Sequence, residues 1–420
     1  FFGHLFPDCK ISSAHPIPAG VIRYEAEAKG AAVFLSHVIR TADVKKIFRA
    51  LENVPDAEIE QILIDIFELI EFDVYFSGII KGDNGRQINA IVLSLPVPSS
   101  VIHTIYRSER SYLLIEKIQT ALEYARRLGA ETVGLGQFTS IVTHNGLSLA
   151  PLGMNVTTGN AYTVALAIEA GLRAASEKRI PLEAARVGFL GAAGNIVSVA
   201  ASILADYCNK IMLFYHTQVE SSVKLSRTLI SILREISGSE ANSCCTRKLK
   251  CLLDNRPPAT PKELADFLNR PEVRDLLAVE TDLQRLRQCD ILLTGTNASR
   301  PLIRAEYLKE NALVIDVGVP GDVPADLTRT RPDVTVIKGG IARMPQPGDR
   351  LQSICLPSFP LKEGQAFACM SETFSIGLAA GKKVYHVGYL SKGDVTEARN
   401  LAAGAGFTLS QYKDISTFDY

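Results

Sequence analysis

The chain has 420 residues and carries 45 basic against 45 acidic side chains, so its formal charge is zero. With 47% hydrophobic and 21% charged residues it is a globular chain large enough for two or more cores, and not a disordered one. No dense Lys/Arg block is present, which argues against a nucleic-acid partner, and no uncharged apolar run reaches the roughly 18 residues that a transmembrane helix needs.

Asp8 and Lys10 interrupt the opening apolar residues, so no secretory leader is predicted. The eight cysteines, at 9, 208, 244, 245, 251, 289, 355 and 369, have no framework spacing, which suits a reducing compartment and a cytoplasmic location. Cys244, Cys245 and Cys251 cluster without a paired Cys-x-x-Cys or a nearby histidine, and no metal site is predicted.

In chain order, residues 31–37 and 89–95 read as strands. The run EIEQILIDIFELIEF at 58–72 repeats apolar residues at helical spacing, as a core helix or as the wall of a tunnel for an acyl chain. A second amphipathic helix is expected over 112–128, with Gly129 as its stop. GLGQFTSIVTHN at 134–145 reads as strand and loop. TTGN at 157–160 then caps a helix over 161–178 or holds a ligand.

Residues 186–201, RVGFLGAAGNIVSVAA, pass from a short apolar strand through Gly191-Ala192-Ala193-Gly194 into a helix opening at Asn195 and Ile196. Such a turn brings backbone close to a pyrophosphate and aims a helix N-terminus at it. Further strands are expected over 210–216, 290–297, 312–320 and 334–340. Between the first two, residues 219–288 read as a polar helical surface insertion or lid with a Pro-rich break at 256–261. The strand ends offer His216 and Thr217, then Thr294-Gly295-Thr296, Asp316 and Gly318, and Gly339 as cofactor contacts. Ligands of parallel sheets sit at those ends. No acidic residue follows 210–216 to hold a ribose, which tilts the choice toward NADP. Finally, GQAFACMSETFSIGLAAG at 364–381 reads as a helix with Cys369 in its first turns, and a last helix is expected near 395–403. The helix dipole there is expected to lower the Cys369 pKa, although a small buried cysteine has the same pattern.

GLGQFTSI at 134–141, TTGN at 157–160, VGFLGAAGNI at 187–196, IDVGVP at 315–320, IKGGI at 337–341 and QAFAC at 365–369 occur in this order. Together they resemble the cyanobacterial long-chain acyl-(acyl carrier protein) reductase family, over roughly residues 130–410. That resemblance implies NADPH-dependent reduction of a fatty acyl thioester to an aldehyde, with NADH as an alternative donor and Cys369 taking the acyl group. It also implies acyl carrier protein or coenzyme A as the donor of that group, and handover of the aldehyde to a partner enzyme is an expectation from so reactive and poorly soluble a product. The chain departs from the family pattern at Val197, where a third glycine is expected, and lacks the family's arginine after the second strand.

The fold expected is α/β, a Rossmann-type parallel-sheet cofactor domain joined to an α/β substrate domain. An acyl-substrate domain spans 1–160, with Thr158, Gly159 and Asn160 at its end assigned to the cofactor. The NAD(P)-binding domain spans 161–355, and 356–420 returns with Cys369 to the cleft between the two. Backbone N–H groups near Cys369, or His144, are the candidate oxyanion donors, and His386 is an alternative proton donor; either histidine also fits a purely structural role. Two other functions keep the fold: a shikimate- or hydroxy-acid-type dehydrogenase without covalent catalysis, and a non-catalytic dinucleotide-binding protein.

Overall fold

A computed structural model describes residues 30–149, 153–215, 219–241, 243–254, 256–298, 300–319, 321–346, 354, 361–379 and 381–410. They fall into two compact units. The first takes in 30–162, 342–389 and 398–410, and the second 163–341 and 390–397. Among the described residues no helix is long and apolar enough to cross a membrane.

The strands of the first half are β1 (Ala31–His37), β2 (Asp73–Lys81), β3 (Gln87–Leu95), β4 (Ala130–Leu135) and β5 (Asn155–Thr157). Next come β6 (Arg186–Leu190), β7 (Lys210–Phe214), β8 (Leu277–Glu280), β9 (Ile291–Thr294), β10 (Leu313–Asp316) and β11 (Thr335–Lys338). Short strands close the chain: β12 (Ile341–Arg343), β13 (Gln365–Phe367), β14 (Tyr385–His386) and β15 (Thr408–Leu409).

The first unit is built on the sheet β14-β5-β4-β1-β3-β2, parallel except where β2 pairs antiparallel with β3. Every residue of β1 is buried, as befits a strand covered on both faces. The helix Ala368–Leu378 packs on β1, β3 and β4. Residues 361–389 are therefore part of this unit's own layers and not a separate returning segment. The expected helix over 364–381 is shorter, because Gln365–Phe367 is extended as β13; Cys369 is its second residue.

The apolar run at 58–72 makes the helix Asp56–Asp65 and then tightens into a 3-10 turn at Phe67–Leu69. There the buried Lys117 ammonium donates to the Glu68 carbonyl at 3.0 Å and to Glu71 Oε1 at 3.0 Å, and lies 5.6 Å from the Phe67 ring centre. A cation answering the turn's free carbonyl ends the regular helix at that point.

The second unit is an all-parallel sheet ordered β11-β10-β9-β6-β7-β8. Numbered from the first strand of the unit this is the doubly wound 3-2-1-4-5-6 order, and the unit is a Rossmann-type fold. Residues 219–288 correct the expectation of a surface insertion. They form helices that include Val219–Gly238 and Cys244–Leu253, then β8, which pairs in parallel with β7 from Ile211↔Leu277 to Phe214↔Glu280. The segment is the crossover to the third strand. Buried Leu229, Ile232, Leu233 and Ile236 fix its long helix to the unit's core. The boundary expected at 355 also moves, since the second unit's main segment ends at Ile341.

Gly134, in β4, faces the helix Ala368–Leu378 at closest approach. A Cβ there would lie 1.9 Å from Thr373 Oγ1 and 2.9 Å from the Phe34 ring, blocked from two sides. Gly134→Ala is expected to lower stability by roughly 1–3 kcal/mol, the usual cost of overpacking. Urea unfolding midpoints measure it, and an unchanged midpoint would refute the packing argument.

Candidate active site

In the second unit, β6 ends in a turn whose first residue, Gly191, has φ +89°; a Cβ there would meet the Gly295 carbonyl at 2.7 Å. Only glycine satisfies both conditions. The turn is pinned by Gly191 and Ala192 N–H donating to the Phe214 carbonyl at 3.2 and 3.1 Å, and by Gly194 N–H donating to Gly191 at 2.7 Å. The helix Asn195–Leu204 starts there with no side chain capping its N-terminus. A glycine cradle running into an uncapped helix start suits a pyrophosphate. Asn195 Oδ1 accepts from Leu390 N–H at 3.0 Å, tying the helix start to the segment at 390.

Val197 stands where a third glycine is expected. It is fully buried, and a Cβ on Gly295 would lie 3.3 Å from its Cγ2. The small residue that lets helix and sheet approach has moved to the opposing strand end. Thr294, Gly295, Thr296, Asp316 and Gly318 gather at the neighbouring strand ends, but the side chains of Thr294, Thr296 and Asp316 are engaged by Asp322 and Lys338. The buried Asp322 carboxylate accepts from the Thr294 hydroxyl at 2.6 Å, from Thr296 N–H at 2.9 Å, and from the Thr296 hydroxyl. Burial raises the Asp322 pKa, with Asp316 adding to it. Lys338 Nζ bridges Asp316 Oδ2 and the Gly318 carbonyl, each at 2.9 Å. Asp322 and Lys338 escaped sequence reasoning because they act only through these long-range pairings. Gly339 serves packing, since a Cβ there would sit 2.6 Å from Val317. His216 and Thr217 lie outside the described residues.

Cys369, in the first unit, backs onto the 157–160 turn, and Glu372 of the same helix meets that turn and His386. Cys369 backs directly onto Gly159: a Cβ at Gly159, whose φ is +69°, would lie 2.3 Å from Cys369 Cα and Cβ. Thr158, Gly159 and Asn160, assigned above to the cofactor, thus belong to the surroundings of Cys369 in this unit. One turn further along the helix, Glu372 is fully buried and three donors meet it. The Thr157 hydroxyl reaches Oε1 at 2.5 Å, Tyr162 N–H reaches Oε2 at 2.6 Å, and His386 Nδ1 lies 2.8 Å from Oε1. Thr157 Oγ1 itself accepts from Gly159 N–H at 2.9 Å, which turns its hydroxyl hydrogen to the carboxylate. Thr158 N–H donates to the His386 carbonyl at 3.1 Å.

Sequence reasoning missed Glu372, although a signal was there. It is the sole charged residue of an otherwise uncharged helix, three positions after the cysteine. His144 does not join this group; its ring bonds Ser148 Oγ at 2.7 Å in an exposed turn.

Helix position was expected to lower the Cys369 pKa, and the structure corrects this. The half-buried thiol is pushed up to about 12, first by burial and further by the Glu372 charge, against the N–H groups of Met370 and Cys369 itself that favour the thiolate. Among the described residues no group of three or more His, Cys, Asp or Glu could hold a metal ion.

The first unit also holds an apolar cavity, lined by Phe72, Leu95, Ile102, Leu114, Ile118 and Phe138, with His37 and Lys117 as polar lining. His37 is buried and both ring nitrogens are matched in the neutral form. Nδ1 donates to the Val38 carbonyl at 2.6 Å, and Nε2 accepts from Phe138 N–H at 3.4 Å. Burial lowers its pKa to about 4.

No family model matches the chain. A curated relative, aminotransferase PigE from Serratia sp. (strain ATCC 39006), is 25% identical over 297 residues, 70% of this chain; the chain spans 30% of that protein's length. Among solved structures it is similar to L-tryptophan dehydrogenase from Nostoc punctiforme (TM-score 0.33, 9% identity, 90% of this chain and 81% of that one). Another is glutamyl-tRNA reductase from Methanopyrus kandleri (TM-score 0.26, 15% identity, 71% and 68%).

Two outcomes follow from these titrations. Iodoacetamide at pH 7.5 is expected to label the exposed Cys251 well before Cys369, whose labelling rises roughly tenfold per pH unit up to about pH 10. Peptide mass mapping reads both rates, and equal rates at pH 7.5 would refute the raised pKa. For His37 the folded pKa lies below the unfolded one. Its stabilisation is then complete above pH 6.5 and lost as pH falls toward 4, by about 3 kcal/mol. Denaturant melts at pH 7 and 4.5 should differ by less in His37→Gln than in the parent chain.

Proposed function

We propose that this chain is a nicotinamide-dependent oxidoreductase that reduces a fatty acyl thioester to an aldehyde, with Cys369 as the residue that carries the acyl group. The observation that carries this reading is the placement of Cys369. It stands in the first turn of a helix, its own and Met370's N–H groups favour negative charge at the sulfur, and Gly159 leaves its side chain uncovered by another Cβ. The sequence resemblance set out above supports it.

The chemistry needs four events. The Cys369 sulfur attacks the acyl carbon and expels the carrier thiol. A thioester on Cys369 remains. NADPH, or NADH in its place, supplies hydride when bound, and the Gly191–Gly194 turn with the uncapped first turn at Asn195 and Ile196 would hold its pyrophosphate. Cys369 then carries a thiohemiacetal whose oxyanion takes one proton from solvent, and that proton passes to sulfur as the carbon–sulfur bond breaks and the aldehyde leaves. Oxyanion charge on the acyl oxygen is met by backbone N–H groups at the helix start. The donor of the acyl group is acyl carrier protein or coenzyme A, and a partner enzyme consumes the aldehyde.

A second reading is favoured by the raised Cys369 pKa. A dehydrogenase without covalent catalysis would keep the same Rossmann-type unit and use a neutral, packed cysteine there. The two separate by mass. Incubated with palmitoyl-coenzyme A and no reductant, the chain should gain one palmitoyl group on Cys369, which NADPH then removes as hexadecanal. Cys369→Ala should gain none. A parent chain that is never acylated, or a Cys369→Ala variant that still makes aldehyde, overturns the first reading.

A further inference from the structure

In the second unit the chain leaves β6 for β7 on one side and β9 for β10 on the other, so β6 and β9 flank the switch point of the sheet. The crevice beyond their C-terminal ends has two walls. One is the Gly191–Gly194 turn. The other is Gly295 and Thr296, whose carbonyl oxygen at 295 and methyl group at 296 would lie 2.7 and 3.2 Å from a Cβ on Gly191. The sheet holds this second wall up to Gly295, whose N–H donates to the Leu190 carbonyl at 3.1 Å. From there Asp322 holds it. The carboxylate takes a hydrogen from each side of Gly295: the Thr294 hydroxyl reaches Oδ2 at 2.6 Å, and Thr296 N–H reaches the same oxygen at 2.9 Å. The Thr296 hydroxyl meets Oδ1. Its oxygen accepts from Ala298 N–H at 3.2 Å, which turns its hydrogen to the carboxylate. Asp322 is buried and itself fixed. Its carbonyl accepts from Leu302 and Ile303 N–H, each at 3.1 Å, and its N–H donates to Asp316 Oδ1 at 3.4 Å.

We propose that Asp322 is a positioning residue for the dinucleotide, which sets the Gly295–Thr296 wall of the crevice at the spacing a pyrophosphate needs. This rests on the dinucleotide site of the function proposed above. Gly191 and Gly295 bring the two walls close, since neither has room for a side chain, but a glycine does not hold a conformation by itself. The rigidity comes from Asp322, through three hydrogen bonds to a charge, which are stronger than those between neutral groups. Both threonine hydroxyls are spent on the carboxylate, so the wall offers its backbone to a ligand. Asp322 therefore acts through the turn. In a doubly wound sheet the adenosine ribose is read at the end of the second strand, here β7, and the pyrophosphate at the switch point. The effect of Asp322 thus falls on the part that NADPH and NADH share, and not on the choice between them.

The test is a fluorescence titration of the full chain with NADPH and with NADH, well below the thermal transition. Asp322→Asn sets an amide N–H against hydrogens that converge on a carboxylate. Its Kd should rise about tenfold or more, the order of effect of a hydrogen bond to a charge left unmade, and by the same factor for both dinucleotides. Thr296→Val keeps the shape of the side chain and removes one donor, so it should weaken both in the same direction. Thr296→Ser, which restores the hydroxyl, should bind as the parent does. A residue that merely supports the fold would lower the thermal transition and leave the Kd of the folded chain unmoved. A folded Asp322→Asn with the parent's Kd overturns the proposal, as does Thr296→Ser binding as weakly as Thr296→Val. So does a loss confined to one of the two dinucleotides. Where Asp322→Asn does not fold, the Thr296 pair decides. A parent chain that binds neither NADPH nor NADH removes the dinucleotide site and the role of Asp322 together, whereas a parent that binds with unchanged variants removes the role of Asp322 alone.

Discussion

A carboxylate with no solvent exposure has to be answered by donors, and at Glu372 that requirement organises the first unit's site. An unpaired charge at such depth costs several kcal/mol, and removing one partner of a buried pair costs about 3–5 kcal/mol. The three donors come from residues 157, 162 and 386, so none is supplied by the helix that carries the charge. Glu372 therefore ties the helix Ala368–Leu378 to the turn before the next helix and to the edge strand β14. Gly159 follows from the same geometry. With the turn drawn to Glu372, its backbone lies on Cys369, and any side chain at 159 would occupy the space of the cysteine itself.

In the second unit the governing constraint is steric. Six parallel strands bury apolar side chains on both faces, and their C-terminal ends crowd together. Gly191 and Gly295 pass with no room for a Cβ, and Gly295 in turn makes space for Val197. The polar residues at these ends, Thr294, Thr296 and Asp316, answer Asp322 and Lys338 and hold the loops in shape. That leaves backbone, from Gly191 through the start of the helix, as the surface offered to an anion. The same glycine pattern thus has a different division of labour from the one its spacing suggests.

Strands whose neighbours are all apolar were legible from the residues alone. The cores of β1, β3, β6, β9, β10 and β11 stand as continuous apolar runs, and their helical separators imply the parallel sheet. β8 was not legible, because LAVE is four residues long and ends in a glutamate; only pairing with β7 makes it a strand. β2 was hidden by Ser77 and Gly78 at its middle, on the half-covered edge of its sheet. At the site, Cys369 and the 157–160 turn carried their own local signals. Asp322, Lys338 and the pairing of Glu372 with Thr157, Tyr162 and His386 did not, since a carboxylate's role depends on which donors the fold delivers from distant positions in the chain.

The Cys369 pKa shows how such a distant choice overrides a local rule. A helix N-terminus favours a thiolate by about 0.3–1 kcal/mol, rising to about 2 kcal/mol in partly buried geometries. Moving a thiol from 9.0 to about 12 corresponds to at most about 4 kcal/mol in the other direction, so burial and the Glu372 charge prevail over the dipole. A thiol set this way is neutral at physiological pH. It resists adventitious alkylation and oxidation, which need the thiolate. The same setting means that any nucleophilic role of Cys369 would need a base to take its proton during attack. Glu372, which adds to the burial that makes the free thiolate costly, also lies 2.8 Å from His386 Nδ1. One carboxylate thus adds to the cost of the thiolate and ties the turn behind the cysteine to β14.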